Sequence, residues 1–354
     1  MSNTFGNKVK ITIFGESHGA YVGAVLDGLK AGILVDADFI AHQLKLRRVA
    51  GEISTPRVEA DEFVIASGVF EGKTTGAPIT ILIPNTNTKS GDYSRSVARP
   101  SHADYTAFVK YGGCEDYRGG GHFSGRLTAA LVAVGAIAIL ALRQKGIKVA
   151  THIKKLAGVL DRDFAALDTD IEFLNSTEFA VLDSDAKQKM YDEILKAKAD
   201  GDSVGGVLET VITGVPTGVG EPWFDSVESV ISHALFSIPA VKGVEFGAGF
   251  DICDMRGSEA NDAIYNDGGV IKTKTNNNGG INGGIANDMP IVVKCAIKPT
   301  PTIFKVQDSI DLLTGENTKT EPKGRHDPCI VHRARVVCDS VCAVALCDLL
   351  GDNL

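Results

Sequence analysis

The chain has no C-x-x-C pair, one tryptophan and four methionines, and only 6% of its 354 residues are aromatic. Its seven cysteines, Cys114, Cys253, Cys295, Cys329, Cys338, Cys342 and Cys347, are odd in number and irregularly spaced. That spacing fits neither a disulfide framework nor a zinc site, and Cys338 and Cys342, one helical turn apart, read as buried free thiols in a reducing compartment. A basic excess is also missing. Acidic residues number 44 against 36 lysines and arginines, a formal charge of -8, which argues against general nucleic-acid binding. G-x-x-x-x-G-K-[ST], H-E-x-x-H and H-x-x-x-H are all absent, so a P-loop and a helical metal motif are not expected. Residues 1–15, MSNTFGNKVKITIFG, hold no apolar run of signal-peptide length, and a cytoplasmic protein is expected.

What is abundant is glycine, 39 residues, and apolar side chains, 44% of the chain. The two meet in residues 117–143, YRGGGHFSGRLTAALVAVGAIAILALR. A glycine loop carrying Arg118, His122 and Arg126 runs into residues 127–142, where Thr128 is the one polar interruption. A helix apolar on all faces has to be buried on all faces. At this length, and so rich in Ala, Gly and Val, it reads as a core helix rather than a membrane span, which needs about 20 apolar residues. The loop sits at the helix N-terminus, where free N–H groups favour an anion.

Strands are expected over residues 9–14, 21–29, 63–70, 77–83, 148–160, 205–214 and 289–297, with another after residue 236. Helices are expected over 38–48, with Asp36 or Asp38 as N-cap, and over 105–111, 182–199, 226–236 and 333–350. Residues 84–101 form a long irregular connection, and residues 256–278 read as polar and irregular. No linker, low-complexity tract or fixed-period repeat divides the chain. The expected fold class is α/β (α+β): two strand-rich halves sandwiching a buried helix layer, a single large domain over 1–354.

Three local patterns invite chemistry. GESHG, residues 15–19, matches G-x-S-x-G with Ser17 as nucleophile, but it follows the first strand and is itself followed by a strand, unlike a hydrolase elbow. GGGHFSG approaches a dinucleotide fingerprint but has Ser124 at the third glycine position and no strand before it. The third pattern is a recurrence: glycine turns, histidine and arginine come together around His18, His102, His122 and His326. Arginine forks, backbone amides and a titratable imidazole suit an anionic ligand. Arg47, Arg48, Arg57, Arg99, Arg118, Arg126 and Arg325 are the candidates for a basic pocket in an otherwise acidic chain.

GESHG, then SGVFEGKTTGAPI (67–79), RPSHADYT (99–106), DYRGGG (116–121) with its apolar helix, RGSEAND (256–262), NNNGGINGGI (276–285), KPTPTI (298–303) and GRHDPC (324–329) follow one another in this order. Together they resemble the chorismate synthase family, from about residue 8 to residue 350. The resemblance implies a lyase of the shikimate pathway that converts 5-enolpyruvylshikimate 3-phosphate to chorismate and phosphate by 1,4-anti elimination. It implies reduced FMN as cofactor, NADPH as a candidate reductant, and a homotetramer whose subunits each sandwich a helical layer between two sheets. It assigns His18 to protonating the departing phosphate, His102 to protonating the reduced flavin, and Asp327 to assisting proton removal through the flavin. Flavin contacts carry over to His122, Phe123, Ser124, Pro239, Ala240, Gly283, Lys298, Pro299, Thr300, Pro301, Thr302 and Arg325. Arg47, Arg48, Arg118 and Arg126 carry over as substrate-binding residues. No metal is implied. The sequence departs from the family pattern at Ser101, where glycine is common, at His122, where arginine is common, at RRVAG, and at Asn278, near a frequent histidine. A flavin- or anion-binding protein without activity on the same fold is the alternative these departures raise.

Overall fold

The computed structural model describes residues 3–48, 51–54, 60–86, 93–320 and 327–354. Two five-stranded sheets enclose a layer of helices. The first sheet runs in the order Thr4–Phe5, Lys10–Gly15, Tyr21–Asp27, Ile79–Pro84, Val64–Ser67. The second runs Val241–Phe246, Ile291–Ile297, Gly206–Thr213, Lys148–Leu156, Val159–Leu160. Every pairing in both is antiparallel, which places the fold on the α+β side of its class. One face of each sheet is apolar and faces inward, as in Ile79, Ile81 and Ile83 of one strand.

The helices are α1 (Ala37–Arg48), α2 (Asp104–Tyr111), α3 (Thr128–Gln144), α4 (Leu167–Ser176), α5 (Ser184–Ala199), α6 (Val227–Phe236), α7 (Gly257–Ala260) and α8 (Val331–Leu350). Asp36 caps α1 by accepting from the N–H groups of Asp38 and Phe39, and Ser226 caps α6 by accepting from Ser229 N. Helix α3 is the expected buried helix and packs on the strands Tyr21–Asp27 and Ile79–Pro84. The stretch Gly125–Gln144 is long and apolar enough to cross a membrane, yet 89% of its apolar window is buried inside the protein.

A second helix is as buried as the first. All of α8 except Arg333 and Leu349 is shielded, and it packs between α3 and the second sheet. Its charges conceal this in the sequence, and each buried one is matched. Asp348 accepts from the backbone N–H of Asn7, Lys8 and Val9 at 2.6–3.0 Å. Arg335 donates to Thr177 O at 2.7 Å and lies 3.5 Å from Asp339, which accepts from Thr151 Oγ1 at 2.6 Å. Burial pushes the Asp339 carboxyl up to about 6, against the pull of Arg335. Helices α3 and α8 touch where Gly135 meets Ser340: a Cβ on Gly135 would lie 2.3 Å from Ser340 Cβ.

Several expected elements divide or shift. The strand expected over 148–160 is a hairpin, because Ala157 (φ 48) and Gly158 (φ 89) form a two-residue left-handed turn. The strand expected over 63–70 breaks at Gly68. Residues 256–278 are not irregular; they hold α7 and the hairpin Ile264–Asp267/Val270–Thr273. Helix α4, unexpected from sequence, covers the outer face of the second sheet through Ile171 and Leu174. The glycine loop closes into a tight, non-helical turn over Arg118–Phe123. Of the long 84–101 connection, the described end is tied down where Val97 bridges Asp311.

Two outcomes follow. Gly135→Ala should lower stability by about 1–3 kcal/mol through overpacking at the helix crossing, more than alanine's helix preference returns, read as a fall in denaturant midpoint at constant slope. His332, wholly buried at the start of α8, has its pKa lowered from 6.5 to about 4, because burial disfavours the charged imidazole and the Arg333 charge adds to this. The unfolded chain therefore takes up a proton that the folded chain refuses, and stability is lost as pH falls from about 6.5 toward 4. The stability margin of wild type over His332→Gln should shrink by up to about 3 kcal/mol across that window in chemical unfolding.

Candidate active site

The glycine run that precedes α3 holds the two best-supported histidines. Gly119 (φ 60), Gly120 (φ 86) and Gly121 (φ 52, ψ -126) all lie in the half of backbone space that side chains avoid. A Cβ on Gly119 would stand 2.5 Å from His18 Cε1 and 2.8 Å from Ser17 Oγ. A Cβ on Gly120 would stand 3.3 Å from His102 Nε2. One on Gly121 would strike the carbonyl of Asp116 at 2.0 Å. Neighbouring glycines thus let two imidazoles, 84 positions apart in sequence, approach one turn of backbone. The GESHG turn is pinned to this run: Ser17 N donates to Gly121 O at 3.0 Å, and His122 Nδ1 bonds Gly15 O at 2.8 Å.

The histidines are also joined through side chains. The His18 ring lies 5.4 Å from that of Tyr93, and the Arg99 guanidinium stands 5.6 Å over the same ring. Arg99 grips Asp104 with a fork of 2.8 Å bonds, and Asp104 Oδ1 lies 2.7 Å from His102 Nδ1. Burial would raise the Asp104 carboxyl, but the His102 and Arg99 bonds and charges hold it well below the carboxylate range. An ionised Asp104 can only accept, so His102 donates from Nδ1 and its Nε2 edge, toward Gly120, is left for proton exchange. Ser17 Oγ and His18 Nδ1 are buried with no hydrogen-bond partner among the described residues. A small open cleft beside His102 is lined by Asp104, Tyr117, Gly120 and Phe123.

Residues 298–302 reach this region. Lys298 Nζ donates to Ser101 O at 2.6 Å, and its N–H donates to Ala240 O at 3.0 Å. Burial, with the Lys242 charge, lowers the Lys298 pKa. Ser203 Oγ holds Thr300 O at 2.7 Å, Thr302 is buried, and Thr300 Oγ1 is a buried hydroxyl without a partner among the described residues. Ser101 has φ 57, the left-handed conformation that makes glycine common at that position, and serine adopts it here.

The arginines fall into two groups. Arg118 is folded onto Asp116 by two 2.8 Å bonds, which, with burial opposing, hold that carboxyl down. Arg47 and Arg126 converge with Arg48 on the buried Asp61, beside the first turn of α3. The helix terminus that invites an anion therefore has guanidinium groups over it. Arg47 donates to Thr128 Oγ1 at 2.9 Å and to Gly125 O at 3.0 Å.

A family model described as chorismate synthase matches residues 9–350. The chain belongs to the chorismate synthase family. Its curated relatives include the chorismate synthase of Chitinophaga pinensis, 48% identical over 98% of this chain and 96% of that one. Another, from Methanosarcina mazei, is 43% identical over 98% and 95%. A solved structure titled "Crystal Structure of Chorismate Synthase" superposes with a TM-score of 0.78 at 30% identity, covering 99% of this chain and 93% of that one. The chain is accordingly an enzyme of the lyase class, and its sheet–helix–sheet fold is that of the family.

Against the residues the chorismate synthase resemblance marks, the structure sets His18, His102 and Phe123 at the glycine run and ties Lys298 to Ser101, next to His102, and to Ala240. Asp327 is paired with Arg333 at 2.5 Å, and Arg333 also donates to Arg47 O at 3.1 Å. His122 is turned to the N-terminal strands, with Nε2 3.2 Å from Asn3 Oδ1, so a phosphate there competes with Asn3. Ser124 caps the Gly125–Leu127 turn by accepting from Arg126 N. Gly283 lies in the turn of the hairpin Ile281–Asn282/Ile285–Ala286, with nothing within 4 Å of where its Cβ would be. Arg57, Arg325 and His326 lie outside the described residues. Sequence reasoning missed Asp104, Asp61, Tyr93 and Arg333. Only Asp104 had a local signal, two positions after His102.

Gly119→Ala should displace the His18 ring and cost about 1–2 kcal/mol in a left-handed position. Gly112→Ala, at φ 61 in open space, should cost similar stability but leave the His18 imidazole resonance unmoved in proton NMR. Equal resonances in the two variants would contradict the close approach.

Proposed function

We propose that this enzyme converts 5-enolpyruvylshikimate 3-phosphate to chorismate and inorganic phosphate, with reduced FMN as its cofactor. The observation that carries this reading is the pair of imidazoles, His18 and His102, set against adjacent glycines at the N-terminal end of α3. The reaction breaks a C–O bond to phosphate and a C–H bond in a 1,4 relation to it and forms one new carbon–carbon double bond, and the proton that leaves carbon is balanced by the one the departing phosphate takes up. The substrate's phosphate and two carboxylates call for arginine forks, and Arg47, Arg48 and Arg126 stand together beside α3.

The residues present fit a flavin mononucleotide. Lys298 is a partly desolvated cation, Thr300 carries an unpartnered buried hydroxyl, and Pro239, Pro301 and Phe123 are apolar surfaces close by in sequence or space. When bound, reduced FMN supplies electron density transiently as phosphate departs. The chain's own work is to bind, orient and move protons. His18 gives a proton to the departing phosphate. His102, its Nδ1 fixed by Asp104, holds a proton at Nε2 for the cofactor. Asp327, held by Arg333, serves as a proton acceptor. Lys298 through Thr302 and Ala240 hold the cofactor.

Within this reading residues 1–354 form one domain that works in the cytoplasm as a homotetramer on a small molecule, away from nucleic acid and membrane, with NADPH as a candidate reductant. The acidic balance supports the choice of partner, and exposed Trp223, Phe224 and Phe250 supply apolar surface for subunit contacts.

The test is anaerobic. Protein mixed with photoreduced FMN and 5-enolpyruvylshikimate 3-phosphate should yield phosphate and chorismate in equal amounts, and oxidised FMN should not support the reaction. FMN binding without either product would leave a flavin-binding protein without activity. His18→Ala and His102→Ala should each slow turnover by about 10²-fold or more while keeping the fold, since both lie in loops. Full activity in either variant removes its assigned role.

A further inference from the structure

We propose that Asp61 is a positioning residue that assembles Arg47, Arg48 and Arg126 into one receptor for the substrate's anionic groups. This rests on the reading above that these arginines take the substrate. The Asp61 side chain is fully buried, and its backbone adopts φ 51, a left-handed conformation that non-glycine residues avoid. Oδ1 accepts from Arg126 Nη1, while Oδ2 accepts from Arg47 Nη1 at 3.4 Å and lies 3.9 Å from Arg48 Nε. One carboxylate thus joins the end of α1 to the turn that starts α3.

The remaining contacts show what Asp61 works against. Arg47 spans Thr128 Oγ1 and Gly125 O, at the positive end of the α3 dipole. Arg126 is steadied by Asn85 Oδ1 at 2.9 Å and Pro84 O at 3.1 Å. Arg48 donates to Ala60 O at 2.6 Å. Three guanidiniums beside a helix N-terminus repel one another and the dipole. A buried carboxylate held in a strained backbone aligns them in advance, and a ligand then binds without ordering them itself.

Asp61→Asn preserves size and one acceptor oxygen but sets an amide NH₂ against Arg47 and Arg48. Calorimetry on the full chain with oxidised FMN present would read the affinity for 5-enolpyruvylshikimate 3-phosphate. Binding should weaken at least about tenfold, while FMN affinity, which a general loss of structure would also lower, stays unchanged. If Asp61 were only a counter-ion, removing its charge would leave binding unchanged or tighten it, and either result overturns the proposal. Arg126→Gln separates the two readings. If it binds as wild type, the substrate site itself is misplaced and the proposal falls with it. If it weakens binding and Asp61→Asn does not, only the role of Asp61 fails. Should Asp61→Asn not fold, Asp61→Glu keeps the charge one methylene farther out. Weaker binding there supports positioning, and wild-type or tighter binding overturns it.

Discussion

The contact between α3 and α8 at Gly135 and Ser340 is the constraint on which the rest of the structure depends. Both helices are buried on nearly every face, so each has to be covered by the other and by a sheet. Burying a leucine, isoleucine or valine side chain contributes about 1.5–3 kcal/mol, and the two helices supply many. That gain requires close packing, and the absent Cβ at Gly135 allows the backbones to approach. The sheets take up the outer sides. The buried charges on α8 each find a partner inside: Asp348 on three backbone N–H groups, Asp339 on Thr151, Arg335 through one nitrogen on Thr177.

The same helix layer brings the candidate site residues together. Helix α3 starts directly after the glycine run, so its N-terminus, the ends of α1 and α8, and the loops from both sheets meet at one end of the layer. Buried carboxylates organise that end. Asp104 fixes His102 and Arg99, and Asp61 gathers the arginines beside α3. Removing one member of a buried ion pair commonly costs about 3–5 kcal/mol, because the other is left as an uncompensated charge. Such groups fix side-chain direction as much as they stabilise. Asp327 is joined to the same system, since Arg333 reaches both its carboxylate and the Arg47 carbonyl.

Part of the chain's left-handed backbone lies in the same place. Gly119, Gly120, Gly121, Ser101, Ala240 and Asp61 all have positive φ, and each borders a histidine, an arginine or Lys298. The surrounding hydrogen bonds hold these conformations, and the result is two imidazoles brought to one turn without any regular element to carry them.

By itself the sequence determined the outline. The apolar run after residue 127, the period-two strands and an acidic N-cap at Asp36 or Asp38 are short-range signals, and the buried helix and most strands lie near the bounds they suggest. The order of glycine-rich motifs was enough for the family. It also singled out His18, His102 and Lys298, because each lies inside a motif that reads locally. Only the tertiary structure decided the rest. Helix α8 was legible as a helix but not as a buried one, because only packing supplies Thr151, Thr177 and the 7–9 backbone as partners for its charges. Asp61 is a solitary carboxylate in an unremarkable stretch, and its importance comes from guanidiniums that approach from residues 47–48 and 126. Pairings between distant residues leave no pattern of period or spacing, so physical contact is the first place they become visible.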